Sequence, residues 1–191
     1  YSEKHLIHFN KKQTKIIFNW FIECNKVYNC TIKKLNIKIN TNYKTLKLEI
    51  FKELYENNNK GCPYDVLTDE VRSACSNLKS CLTNLKNKNI NHFTLTERTL
   101  YNKQSILIPK KSITKNGIFS NLLGKQKLRF NYESVDGDSR LLYNYKTKKF
   151  YLNITKKRNQ IINMNKQKIV SIDPGEKIFA TFYSPENCGK I

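Results

Sequence analysis

Apolar residues change their spacing several times along the chain, and each change marks a different element. Leu6, Ile7 and Phe9 stand between polar neighbours, which predicts a short N-terminal strand. From Lys12 onward, Ile16, Trp20, Cys24, Val27, Thr31 and Leu35 recur at steps of three and four, flanked by Ile17, Phe21, Tyr28 and Ile32. That is the period of a long helix with a wide buried stripe. A second helix fits residues 43–57, with Leu46, Ile50, Phe51 and Leu54 inward, until the Asn-rich run 57–61 breaks it. Pro63 suits a first helical turn, and Leu67, Val71, Ala74, Leu78, Leu82 and Leu85 form a third stripe.

After His92 the helical period stops. Short β-rich runs follow at 93–95, 105–108, 118–123 and 127–132, with the tight-turn pair Asn116-Gly117 ahead of one of them. Residues 141–145 and 150–154 alternate around a lysine-rich tip and predict a hairpin. The expected class is α+β: a small β-barrel from residues 1–11 and 89–158, with a three-helix lobe, 12–88, inserted into it. A basic, polar linker runs to residue 167. A buried strand then ends at Asp173-Pro174-Gly175, and residues 178–183 return as its partner.

Composition sharpens this picture. The 191 residues carry a formal charge of +20, with a pI of about 9.7. Part of the excess reflects codon usage, because the 30 Lys and 25 Asn are read from AT-rich codons. The remainder exceeds what solubility requires and points to a polyanion, with nucleic acid ahead of an anionic membrane surface. No apolar run approaches the ~18 residues of a membrane span, and no secretory pattern opens the chain shown. The six cysteines form no C-x-x-C pair, so a reduced thiol set is expected rather than a zinc site or a disulfide framework. His5, His8 and His92 have no ligand spacing.

The basic residues fall in clusters. Lys11, Lys12 and Lys15 stand where the first strand meets the first helix. Lys110 and Lys111 follow a predicted strand, Lys146, Lys148 and Lys149 crowd the hairpin tip, and Lys156, Lys157 and Arg158 enter the linker. Such groups touch phosphates or simply face solvent. Tyr28, Phe93 and Tyr101 could stack on bases, although a core role fits each of them too.

Asp173 is the sharpest chemical feature. A carboxylate at the end of an apolar strand either caps the Pro-Gly turn or holds a metal. Ser171-Ile172-Asp173-Pro174-Gly175, followed by a strand, resembles the first catalytic motif of the RuvC domain in TnpB-like nucleases. Val27-Tyr28-Asn29 resembles the family's basic-Tyr-Asn element, with Val27 in place of the basic residue. Gln104-Ser105-Ile106, with Ile108-Pro109 after it, and the hairpin 142–154 resemble segments that precede that domain. The closest branch in this respect is Fanzor, its eukaryotic and giant-virus arm.

This resemblance implies the N-terminal part of an RNA-guided DNA endonuclease. Residues 1–11 and 89–158 would be a wedge domain, 12–88 a recognition lobe, and 159–191 a linker and the start of a ribonuclease-H-like fold. Its partners would be a guide RNA of the omega-RNA type and double-stranded target DNA, in a ribonucleoprotein with one protein copy. Asp173 would be catalytic and would bind Mg2+. Tyr28, Asn29, Lys103, Gln104 and Arg129 would join the lysine clusters and Arg158 in contacting nucleic acid. The setting implied is intracellular, the nucleus or virus factory of a eukaryotic host. Two-metal cleavage needs several converging carboxylates. After Asp173 the only acids are Glu176 and Glu186, so these residues alone are not expected to cut. The rival reading is a non-catalytic RNA- or DNA-binding module. An actin-like ATPase fragment is more remote, because Glu176 would repel a phosphate held at the turn.

Overall fold

A computed structural model describes residues 1–37, 42–55, 61–101, 104–157, 171–174, 180–183 and 188–190. Its first helix, α1 (Lys11–Ile37), starts at a reciprocal cap. Asn10 Oδ1 accepts the Gln13 N–H at 2.9 Å, and Gln13 Oε1 accepts the Asn10 N–H at 2.9 Å. Two backbone donors that the helix start would leave unpaired are thereby satisfied. The predicted stripe is the buried face, with Ile17, Trp20, Phe21, Val27, Ile32 and Leu35 almost wholly enclosed. Helix α2 (Tyr43–Tyr55) buries Leu46 and Ile50. Helix α3 (Tyr64–Lys86) begins directly after Pro63, whose fixed φ of −57° suits that position. Its stripe is buried through Leu78 and emerges at Leu85.

The strands of the first unit are β1 (Ser2–Ile7), β2 (Gln104–Ile108), β3 (Ile113–Thr114), β4 (Gly117–Ile118), β5 (Gly137–Asn144) and β6 (Lys149–Thr155). Four of them form an antiparallel sheet in the order β1-β6-β5-β2, with β1 and β2 at its ends. Ile7 lies opposite Phe150, Leu141 opposite Leu152, and Ile106 opposite Leu141. Alternate residues therefore face inward. Ile106, Ile108, Leu141, Phe150, Leu152 and Ile154 join the helical stripes in one shared core. Trp20 ties helix to loop, donating from Nε1 to the Gly61 carbonyl at 2.7 Å and meeting Phe119 edge-on.

Three predicted strands take other forms. Residues 93–95 are irregular, because side chains of α1 take up this segment's backbone: Asn36 Nδ2 donates to the Leu95 carbonyl at 3.2 Å. The run 118–123 splits at Phe119, which adopts a left-handed φ of 43°, and continues as the short helix α4 (Ser120–Leu123). Residues 127–132 are not strand because Gln126 acts as the missing partner. Its side chain accepts the Ile118 N–H at 2.9 Å and donates to the Ile118 carbonyl at 3.1 Å.

The chain divides into two compact units, Tyr1–Lys157 and Arg158–Ile191. In the second, β7 (Ser171–Pro174), β8 (Ala180–Tyr183) and β9 (Cys188–Lys190) form an antiparallel meander with β8 central. Asp173 pairs with Thr181 and Ile172 with Phe182. Ile172, expected to be buried, is 64% exposed, since this small sheet leaves that side chain uncovered. The third strand, β9, had no counterpart in the hydrophobic pattern.

Candidate nucleic-acid interface

The inward face of α3 carries two acids that its apolar stripe does not call for. Asp69 is 6% exposed and Glu70 is fully enclosed. Unpaired buried carboxylates are costly, so each needs a cation. Arg98, on the irregular segment after α3, donates from Nη1 to Glu70 Oε2. Arg140, on β5, donates from Nη2 to Asp69 Oδ2 at 2.8 Å. Arg72, one turn along α3, lies 3.9 Å from Asp69 Oδ1.

Arg98 is fixed on two further sides. Its guanidinium stacks on the Tyr28 ring, 3.5 Å from the ring centre, a cation–π contact. Its backbone is clamped by Asn29, which accepts the Arg98 N–H at 2.8 Å and donates to its carbonyl at 2.9 Å. Asn77 Nδ2 donates to the Tyr28 hydroxyl at 2.9 Å. Burial raises the Glu70 carboxyl to a pKa of about 7, although Arg98 pulls the other way. Glu70 Oε1 has no hydrogen-bond partner, which adds to the cost of its charged form.

Beside this network lies an open cavity of about 400 Å3 between α1, α3, β2 and β5. Its described lining residues are all polar: Arg98, Arg140, Asn25, Asn77, Gln104 and three serines. A second groove of about 330 Å3, lined by Arg72, Lys110 and Lys111 among others, also borders α3.

The sequence-predicted contacts separate into three groups. Lys11, Lys12 and Lys15 are exposed on the first turns of α1, which hold no acid. That placement runs against the helix dipole, so it does not serve helix stability. Lys110, Arg129, Lys146, Lys148, Lys149 and Lys157 are also exposed, without ion-pair partners among the described residues. Lys111 pairs with Asp65, and Lys156 with Glu3 at 2.8 Å.

Tyr28, Asn29 and Gln104 form the second group, and their side chains are engaged internally. Tyr28 is 5% exposed with its ring covered by Arg98. Gln104 is 4% exposed, accepting from Asn25 Nδ2 at 2.9 Å and donating to the Thr99 carbonyl at 2.9 Å. These residues support Arg98 and the cavity wall. Lys103 and Arg158 form the third group and lie outside the described residues, as does the side chain of Asp173.

Arg98 and Arg140 were not singled out from the sequence. The available signal was the pair Asp69-Glu70 beside Val71 on an apolar stripe. A second signal was the scarcity of arginine, five residues against 30 lysines. Among the described residues no cluster of three His, Cys, Asp or Glu side chains could hold a metal ion. The six cysteines are unpaired thiols, and Cys24, beside Cys62, has its ionisation pushed well up.

Comparison with known proteins finds relatives along the whole chain. The chain matches a TnpB-like protein of Acanthamoeba polyphaga mimivirus at 29% identity over 210 residues, covering the whole chain. Two further TnpB-like proteins of that virus match over the same extent at 27% identity. The chain is similar to TnpB-like proteins along its whole length. It spans 40% of the length of each of these TnpB-like relatives. A protein of Paramecium bursaria Chlorella virus 1, provisionally named a transposase, shares 49% identity over 39 residues, or 20% of the chain. No protein-family profile matches this TnpB-like sequence. None of its described helices is long and apolar enough to cross a membrane.

Proposed function

We propose that this chain is the nucleic-acid-binding N-terminal part of a transposon-associated, RNA-guided DNA endonuclease. The observation that carries the reading is its similarity, along its whole length, to three TnpB-like proteins. The net charge of +20 and the exposed lysines at the start of α1 and on the β5–β6 turn support it. In this reading the helices and the four-stranded sheet are the recognition and wedge halves of a grip on guide RNA and target DNA. The lysines supply phosphate contacts, which position without reading sequence. The meander at 171–190 opens a RuvC-type nuclease fold, with Asp173 as its first carboxylate.

Magnesium would serve such a nuclease by activating water and stabilising the leaving oxygen. The described residues bring no three-ligand set together, so no cleavage step is assigned to them. The second reading is a TnpB-like module that binds nucleic acid without cutting. Asp173→Ala separates the two in the full-length protein loaded with guide RNA. Loss of magnesium-dependent cleavage of a guide-matched duplex, with RNA affinity unchanged, supports the nuclease. A loaded wild-type protein that binds its target and leaves it intact supports the module.

A further inference from the structure

We propose that Arg98 and Arg140 form a two-arginine seat for one phosphodiester group of bound nucleic acid, in the cavity between α3 and the β2–β5 edge. The inference rests on the nucleic-acid-binding reading and adds to it a specific site that the lysine clusters do not provide. Arg98 and Arg140 both line the same cavity, and each is held by one of two adjacent acids on α3: Glu70 holds Arg98 and Asp69 holds Arg140. Each arginine spends one nitrogen on its carboxylate. Among the described residues, the remaining donors of both have no hydrogen-bond partner. The two side chains keep 33% and 42% of their surface exposed, so they remain open to a ligand.

The chemistry of the walls favours phosphate over a base. Among the described residues no carboxylate lines the cavity, and its lining side chains are arginine, asparagine, glutamine and serine. Among the described lining residues there is no aromatic ring, and the nearby Tyr28 ring is covered by Arg98. A planar guanidinium with a fixed orientation presents parallel N–H donors to two phosphate oxygens, which an ammonium cannot do. That geometry explains the use of arginine here. In a chain with 30 lysines and only five arginines, three of the five (Arg72, Arg98 and Arg140) surround Asp69 and Glu70. Glu70 is a positioning residue: it touches Arg98 and never the ligand.

The test replaces shape while keeping charge. Arg98→Lys and Arg140→Lys are compared with Lys146→Gln, which removes one exposed charge from the hairpin tip. Binding is measured by fluorescence anisotropy with an RNA hairpin and with a DNA duplex, at fixed salt. Melting curves confirm folding; Arg140→Lys stands as the independent variant if Arg98→Lys unfolds around Glu70. The expected result is a loss of about tenfold for each arginine variant, in line with a charge-assisted hydrogen bond, and under threefold for Lys146→Gln. A deficit with RNA alone, or with DNA alone, identifies which strand supplies the phosphate. Folded arginine-to-lysine variants that bind both probes like wild type overturn the seat.

A second arm does not need nucleic-acid binding. Side-chain NMR of 15N-arginine protein titrated with inorganic pyrophosphate should shift the Arg98 and Arg140 Nε–Hε signals ahead of Arg129, which is exposed and outside the cavity. Equal shifts at all three, or none, overturn the seat even if the chain binds RNA. Selective shifts in a protein that binds neither RNA nor DNA keep the phosphate seat and remove the nuclease reading.

Discussion

Replacing Glu70 with glutamine should remove a pH dependence that the wild-type fold carries. The Glu70 side chain is fully enclosed on α3, and burial lifts its pKa from an ordinary 4.5 to about 7. The folded chain therefore holds this proton more tightly than the unfolded chain. The associated stability is fully present below pH 4.5 and is lost as pH rises from there through about 7. A displacement of that size corresponds to about 3 kcal/mol. Glutamine keeps the shape and an oxygen that accepts from Arg98, but it has no proton to lose. Urea unfolding of both proteins at pH 4.5, 5.5, 6.5 and 7.5 isolates the effect, since contributions from other groups cancel in the difference. Wild type should lose about 3 kcal/mol relative to Glu70→Gln across that range. Parallel curves would refute the burial argument and mean that Arg98 keeps Glu70 ionised throughout.

Trp20→Ala should cost about 3–5 kcal/mol, because it empties the centre of the core and removes the bond to the Gly61 carbonyl; thermal melts should rank it far below Lys12→Ala, which is exposed and should weaken RNA binding instead. Gly117→Ala should destabilise by about 1–3 kcal/mol, since its φ of +117° disfavours a side chain and a Cβ would meet Gln126 Oε1 at 2.6 Å; chemical denaturation measures it. Joint replacement of Lys146, Lys148 and Lys149 by alanine should leave the melting temperature nearly unchanged and lower the slope of log affinity against log salt by about 2–3 for duplex nucleic acid.

The helices were legible because burial at a 3.6-residue period leaves a direct trace in the sequence. Ile17, Trp20, Phe21 and Leu35 on α1, and Leu67, Val71 and Leu78 on α3, are the residues the pattern named and the residues enclosed. The β5–β6 hairpin was legible for the same reason at a period of two. Strand predictions failed where side chains replaced backbone partners: Asn36 at Leu95 and Gln126 at Ile118. Those bonds join distant or offset positions and leave no local periodicity. The network around Arg98 was hidden for a related reason, since Glu70 is 28 residues away in sequence and Asn29 is 69. Only its acidic half was visible, as two carboxylates on an apolar stripe. Tyr28, Asn29 and Gln104 were picked out by resemblance, and they lie in or beside this network as supports for Arg98 and the cavity wall.

The claim that this TnpB-like chain binds structured RNA through its phosphates is tested most directly by one titration. The affinity of the purified chain for a structured RNA is measured between about 50 and 200 mM salt, where neutralising many phosphates releases their counterions. With a charge of +20 and lysines exposed on α1 and the β5–β6 turn, affinity should fall by orders of magnitude over that range. An affinity that stays flat with salt, or no binding at the lowest salt, would contradict it.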